Sequence, residues 1–418
     1  MGKVKVSQLF KVIICAVTLY TLGFDKIITL PGSSFVYEIL IAAIGVLLAL
    51  YVKNKTRSNM NLRMQCKALS NYLMIYLVII LIEMIYSVIA YGYNIVQLLI
   101  ITRKYFYAFY SYPIVYIFTM DDDMYKFTKT IYWTSMFLLG IKFITWYLYN
   151  FKGMTVFSGL LFQYSEGWTR NGFMRMDTGA LFGIVLCVTL YYCFVKKQLL
   201  YWLVLAFLYI YLIFVTQYRF QLIVTIVLTA YGYYCSTDSN RKKNVKLMAI
   251  SFIIAFVLFG GLDYILNLFS LNGMDGGSTA ARLLTIDHYW SLIKEKNAIL
   301  GVGFLSAYTN KAFSILRRSD TDRFWLEDLG ILGGIFTFGI LSLLLYGKLF
   351  FDSMKRTFAS HRIRKIEGGD DCLKKCVVVY MILSCILLNI FDAQRMWCMP
   401  FYLSVIYFVQ NSLKTQKQ

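Results

Sequence analysis

The sequence predicts an all-α, polytopic integral membrane protein with about 12 transmembrane helices and one large extracytoplasmic loop containing an amphipathic helix. Three observations carry this expectation. First, the 418 residues are 59% hydrophobic and 15% charged, where a soluble domain carries about a quarter charged residues. Second, apolar runs of roughly 16–23 residues recur along the whole length. They are continuous rather than alternating, which excludes a transmembrane β-barrel. Third, short loops rich in Lys and Arg alternate with loops poor in them, the pattern by which positive charge orients spans.

The N-terminus is basic and leads into an apolar run with no small-x-small cleavage site after it, so a retained first span is expected rather than a signal peptide. The runs fall at 9–24, 35–52, 69–91, 95–119, 131–149, 179–195, 199–218, 220–235, 247–266, 329–351, 376–391 and 396–411. Arg103 and Lys104 interrupt the fourth, so 95–102 reads either as part of a span or as an interfacial helix before a short one. Three loops are strongly basic: Lys53 to Lys67, Arg241 to Lys246, and Lys355 to Lys375. Counting spans puts all three on one side, with both termini. That side is cytoplasmic, and the polar stretches 151–177 and 267–328 face outward. The chain reads as one membrane domain over 1–418, with 267–328 as its major outer loop.

The net charge of +20 fits this loop pattern, so it implies no nucleic-acid partner. No cysteine falls in the outer loops, so no disulfide framework is expected. Cys372 and Cys376 have only a loose metal-ligand spacing on the cytoplasmic side, and no metal or cofactor is expected.

Candidate chemistry gathers outside. Arg219 sits in a turn too short for an ordinary loop, between two spans. An arginine at a membrane boundary either snorkels or meets an anion, and guanidinium grips phosphate in a bidentate way. Arg282 follows Gly276-Gly277-Ser278, which reads as a turn ending in an N-cap. It therefore falls in about the first turn, where an anion held with the free amides offsets its clash with the helix dipole. Leu283, Ile286, Trp290 and Ile293 form one apolar stripe on that helix. His288 is a candidate proton acceptor, and Tyr289, Trp290 and Trp168 are candidates for stacking on sugars. Arg170 and Arg175 form a second outward basic cluster suited to sugar phosphates or headgroups, and Arg395 pairs with Asp392. Asp320, Asp322 and Glu327 close the outer loop; each is either a helix-start carboxylate or a proton acceptor.

With its one late outer loop, the chain resembles the Wzy-type polysaccharide polymerases of capsule and O-antigen synthesis, and the related O-antigen ligases. Three patterns carry the resemblance: Gln217-Tyr218-Arg219-Phe220-Gln221-Leu222; Arg282 followed by Tyr289-Trp290 and Gly301-Val302-Gly303-Phe304; and Leu326-Glu327-Asp328-Leu329-Gly330-Ile331-Leu332-Gly333. The resemblance implies a metal-independent glycosyltransferase of the bacterial cytoplasmic membrane. Its substrate would be an undecaprenyl-diphosphate-linked oligosaccharide, with Arg219 and Arg282 on the diphosphate. A chain-length regulator and a flippase would be its partners. Ligases place a histidine ahead of the loop-ending glycine motif, where this chain has Ser319-Asp320-Thr321-Asp322. A ligase and a transporter of lipid-linked oligosaccharide remain the alternatives. Charged residues inside the spans are few, which favours surface chemistry over translocation.

Overall fold

A computed structural model describes residues 2–28, 34–162, 168–237, 276–296, 298–318, 323–358, 370–388 and 390–409. These residues are mostly helical. The first run is α1 (Gly2–Thr21), followed by α2 (Ser34–Lys55) and α3 (Met60–Tyr91). The fourth run is broken: α4 (Ile95–Thr102) leads into a 3-10 segment (Arg103–Tyr110) and then α5 (Ser111–Asp121). Local chemistry explains the break. Asn94 and Gln97 form a reciprocal capping box at the start of α4. Arg103 and Lys104 (3.3 Å) both pair with Glu38 of α2, which pins the 3-10 segment against that helix. Tyr110 adds a hydroxyl bond to the Ile41 carbonyl at 2.8 Å.

The chain continues through α6 (Met124–Lys152), a single helical turn α7 (Ser158–Leu161), and a hairpin of β1 (Thr169–Arg170) and β2 (Phe173–Met174). Next come α8 (Phe182–Phe194), α9 (Leu199–Ile210) with a π-helical last turn (Tyr211–Thr216), and α10 (Arg219–Ser236). The expected ninth span at 247–266 lies outside the described residues. Beyond it stand α11 (Gly276–Lys296), α12 (Asn310–Leu316), α13 (Ile331–Phe338), α14 (Leu341–Phe358), α15 (Asp370–Ser384) and α16 (Met399–Tyr407). The run expected as one span at 329–351 is thus two helices, parted at Gly339.

Among the described residues, Ser34–Lys55, Met60–Tyr91 and Leu199–Thr216 are long and apolar enough to cross a membrane, and several shorter helices are as apolar. Together these mark a membrane-embedded helical protein. Most of the helices share one large core cluster running from Phe10 to Phe408, while α11 and α12 pack in two smaller ones. At one end of the bundle lie the basic last turns of α2 (Lys53, Lys55) and α14 (Lys355, Arg356), where cations suit the helix dipole. Lys374, Cys372 and Cys376, expected in a loop there, are instead buried within α15, and Lys374 donates to the Phe408 carbonyl at 3.1 Å. Helix α15 starts earlier than hydropathy alone suggests because Cys372, Leu373 and Lys374 bury against neighbours. All nine cysteines are free thiols.

At the opposite end, Gly301-Val302-Gly303-Phe304 joins three elements. Val302 N–H donates to the Phe336 carbonyl (2.8 Å) and Gly303 N–H to that of Thr337 (3.0 Å). The Phe304 amide donates to Ser87 Oγ of α3 at 2.9 Å.

One turn from Ser87, Glu83 is fully buried, and among the described residues neither carboxylate oxygen has a hydrogen-bond partner. A buried carboxyl without partners costs stability in whichever form it takes. Glu83→Met is therefore expected to raise stability by about 1–3 kcal/mol, read as an upward shift of several degrees in thermal unfolding of the detergent-solubilised chain. A lower unfolding temperature would show that the carboxyl is held by something it needs.

Candidate functional site

The site is built around the turn between α9 and α10. The π-helical turn ends at Thr216, Gln217 takes the left-handed region (φ 53°), and Tyr218 is extended, so α10 begins at Arg219. Such a backbone needs external support, and the β1–β2 hairpin supplies it. Arg170 Nη1 donates to the Gln217 carbonyl at 2.9 Å, and Arg175 Nε to that of Thr216 at 2.8 Å. The Met176 amide adds a bond to Val215 O at 3.1 Å. Arg175, only 8% exposed, also stacks its guanidinium over Trp168 (4.6 Å) and Tyr218 (4.9 Å). Arg170 and Arg175 thus hold the turn that presents Arg219, which is half-buried at the first position of α10. Free amides, the helix dipole and a guanidinium together make this a place for an anion.

Beside the turn is a small chamber of about 40 Å3, lined in part by Tyr218, Gln221, Tyr380 and Arg395. Gln221 of α10 bridges Thr178 Oγ1 (3.2 Å) and the Tyr380 hydroxyl (3.4 Å). Arg395 pairs with Asp392 at 2.9 Å, as the sequence suggests, and Asp392 also takes the Gln394 amide at 2.9 Å. Burial pushes the Asp392 carboxyl above its ordinary range, against the pull of Arg395. Tyr218 lies within electrostatic reach of both Arg395 and Asp328, so the arginine turn and the segment before α13 share one environment.

Glu327 stands in that environment, in a 3-10 segment (Leu326–Leu329) just before α13. Burial raises its pKa to about 7, and the nearby charge of Asp392 adds to the rise. A carboxyl poised near neutrality suits proton transfer. Asp320 and Asp322 lie outside the described residues.

Helix α11 differs from expectation in two ways. It begins at Gly276, so Arg282 is its seventh residue, beyond the first-turn amides. Arg282 Nε is nevertheless buried without a hydrogen-bond partner. Its packed face is also different. Tyr289 is fully buried with Val302, Leu329 and Phe336, joined by Ile286 and Ile293, while Leu283 and Trp290 are about half exposed. Tyr289 is therefore packed, with its hydroxyl toward the Phe324 carbonyl at 3.4 Å, and is not open for stacking on a sugar. His288 is likewise engaged: Nε2 bonds the Ile315 carbonyl (2.9 Å), and the ring stacks on Phe324 at 4.0 Å. Trp290 keeps an open face. Helix α11 packs on the 326–338 region, and no direct contact joining Arg282 to Arg219 is observed among the described residues.

Sequence reasoning missed Lys142 and Asp177. They form a buried ion pair at 2.7 Å across 35 residues of sequence. Burial alone would raise the Asp177 carboxyl, but the Lys142 ammonium overcomes it and holds the pKa below the usual range. The signal was a lysine inside an apolar run, since intramembrane ionisable groups are rarely idle. Among the described residues, no group of three or more His, Cys, Asp or Glu is placed to hold a metal ion. No protein-family model and no curated protein matches this chain.

Proposed function

We propose that this protein is a polysaccharide repeat-unit polymerase. It transfers a growing glycan from undecaprenyl diphosphate to the non-reducing end of a lipid-linked repeat unit. The observation that supports this best is the built arginine turn: Arg170 and Arg175 are spent on holding the backbone that presents Arg219, and its neighbour Tyr218 lies in the fields of Arg395 and Asp328. In this reading the chain has about 12 spans, both termini in the cytoplasm and the arginine turn outside.

The chemistry follows from the residue types. Arg219 binds the diphosphate and, with Arg282 closing from the outer loop, stabilises the charge that gathers on it as it leaves. Glu327, ionised above about pH 7, takes the proton of the acceptor hydroxyl. That oxygen attacks the anomeric carbon of the donor sugar. The bond from that carbon to the diphosphate oxygen breaks, and lipid diphosphate departs.

The test is purified full-length chain with lipid-diphosphate-linked repeat units, products sized on a gel. Wild type is expected to give a ladder, and Arg219→Ala to lower polymer output at least tenfold at equal protein level. Unchanged output from that variant would sink the diphosphate clamp. One observation favours a second reading, a transporter of lipid-linked oligosaccharide. Glu83 and Lys142 are charged side chains buried within helices, and translocation paths use such groups. Movement of the same substrate across liposomes, with no ladder, would decide for it.

A further inference from the structure

A second, larger cavity of about 180 Å3 shares Gly179 and Ala180 with the chamber beside Tyr218. Its wall includes Asp25, Lys26, Lys104, Asp177, Gln394 and Trp397. These come from four separate parts of the chain, and no sequence motif links them.

The charges of the wall nearly cancel. Glu38, also in the wall, is paired with Lys104 and Arg103. Asp177 is paired with Lys142. Lys26 sits in the field of both Asp177 and Asp25, and burial pushes its ammonium pKa down against their pull. Burial likewise raises the Asp25 carboxyl. Neither Asp25 nor Lys26 is committed to a direct ion pair among the described residues. The wall thus offers carboxylate acceptors, ammonium donors and the Gln394 amide, which is both. Trp397 and Tyr107 pack edge to face at 5.7 Å and give the cavity a rigid aromatic side.

This lining discriminates between ligands. A diphosphate would meet Asp25, Asp177 and Glu38, and a metal cation would meet Lys26 and Lys104; each pays for the like charges. A neutral polyhydroxyl ring meets none of these penalties and can satisfy donors and acceptors together. We propose that this cavity is a binding site for an uncharged sugar, and that it seats the terminal residue of the acceptor glycan. The acceptor role rests on the polymerase reading; the sugar site itself rests on the lining. The two cavities share Gly179 and Ala180 in their walls, so an acceptor held here is seated next to the chamber beside the arginine turn.

The test uses the full chain in lipid nanodiscs and measures binding without turnover. Glucose, galactose, N-acetylglucosamine and N-acetylgalactosamine are each titrated by saturation-transfer NMR, with inorganic diphosphate as competitor. At least one sugar is expected to bind with a Kd on the order of millimolar. Lys26→Met and Gln394→Ala should each weaken it about tenfold or more, and Arg219→Ala should leave it unchanged. Gln394→Ala carries the test if Lys26→Met does not give a monodisperse protein. The site is overturned if none of the four sugars binds, if binding is indifferent to the cavity variants, or if inorganic diphosphate displaces the sugar. Sugar binding without a polymer ladder would remove the polymerase reading and leave the site. A ladder without sugar binding would remove the site alone.

Discussion

Gly301→Ala is expected to prevent stable folding of the end of the bundle where the 301–304 segment joins α3 and α13. Gly301 has φ +66°, and an added Cβ would lie 2.3 Å from the Phe336 carbonyl oxygen, 2.6 Å from the Gly339 nitrogen and 2.8 Å from the Thr337 carbonyl oxygen. All three are backbone atoms in a hydrogen-bonded junction, so no side chain can swing aside. The left-handed conformation alone costs a non-glycine residue about 1–2 kcal/mol. Breaking the Val302–Phe336 and Gly303–Thr337 bonds adds the cost of unmade buried pairs, for a total on the order of 4 kcal/mol. The measurement is the unfolding temperature and monodispersity of the solubilised variant. Gly140→Ala is the control: Gly140 lies in α6 with open space at its Cβ position, and alanine there gains helix propensity. A Gly301→Ala protein as stable as wild type would show that the junction is not the clamp described above.

Glu327→Gln should abolish the proton-transfer limb of the pH profile and lower polymer output by about a hundredfold or more. The Glu327 pKa of about 7 means that wild-type output falls as pH drops through neutrality, because the base is then protonated. The effect on stability has the opposite sign. An unfolded-state glutamate ionises near 4.5, the folded one near 7. Between those values rising pH favours the unfolded chain, and above about pH 7 the full cost, roughly 3 kcal/mol, is present. Glu327→Gln is therefore expected to be more stable than wild type at pH 8 and to lose that advantage by pH 4. Comparing unfolding temperatures at the two pH values, alongside ladder assays from pH 5.5 to 8.5, separates the two effects. An unchanged pH profile in the variant would rule out Glu327 as the base.

The helical character, the positions of most apolar helices and the broken fourth run were legible in the sequence. Hydropathy and local capping act over neighbouring residues, and Asn94, Gln97, Arg103 and Lys104 carry their signal within ten positions. The tight turn before Arg219 was legible for the same reason. The Arg395–Asp392 pair was too, because its partners are three residues apart. The roles of Arg170 and Arg175 were not, since they depend on carbonyls more than 40 residues away. Nor was the burial of Tyr289 with only Ile286 and Ile293 of the expected stripe, because periodicity defines faces of a helix without saying which one a neighbour covers.

By itself, then, the sequence determined a membrane-embedded, all-helical chain with an arginine at a tight turn, since chain-local hydropathy, charge and turn length are enough for that. Only the tertiary structure decided which ionisable groups meet. It paired Lys142 with Asp177, left Glu83 alone, set Glu327 near Asp392, and closed Gly301 against Gly339. The physical reason is common to all four. The pKa of a buried charge and the space beside a glycine are set by whatever lies within a few ångströms, and here those neighbours are about 35 to 65 residues away along the chain or farther.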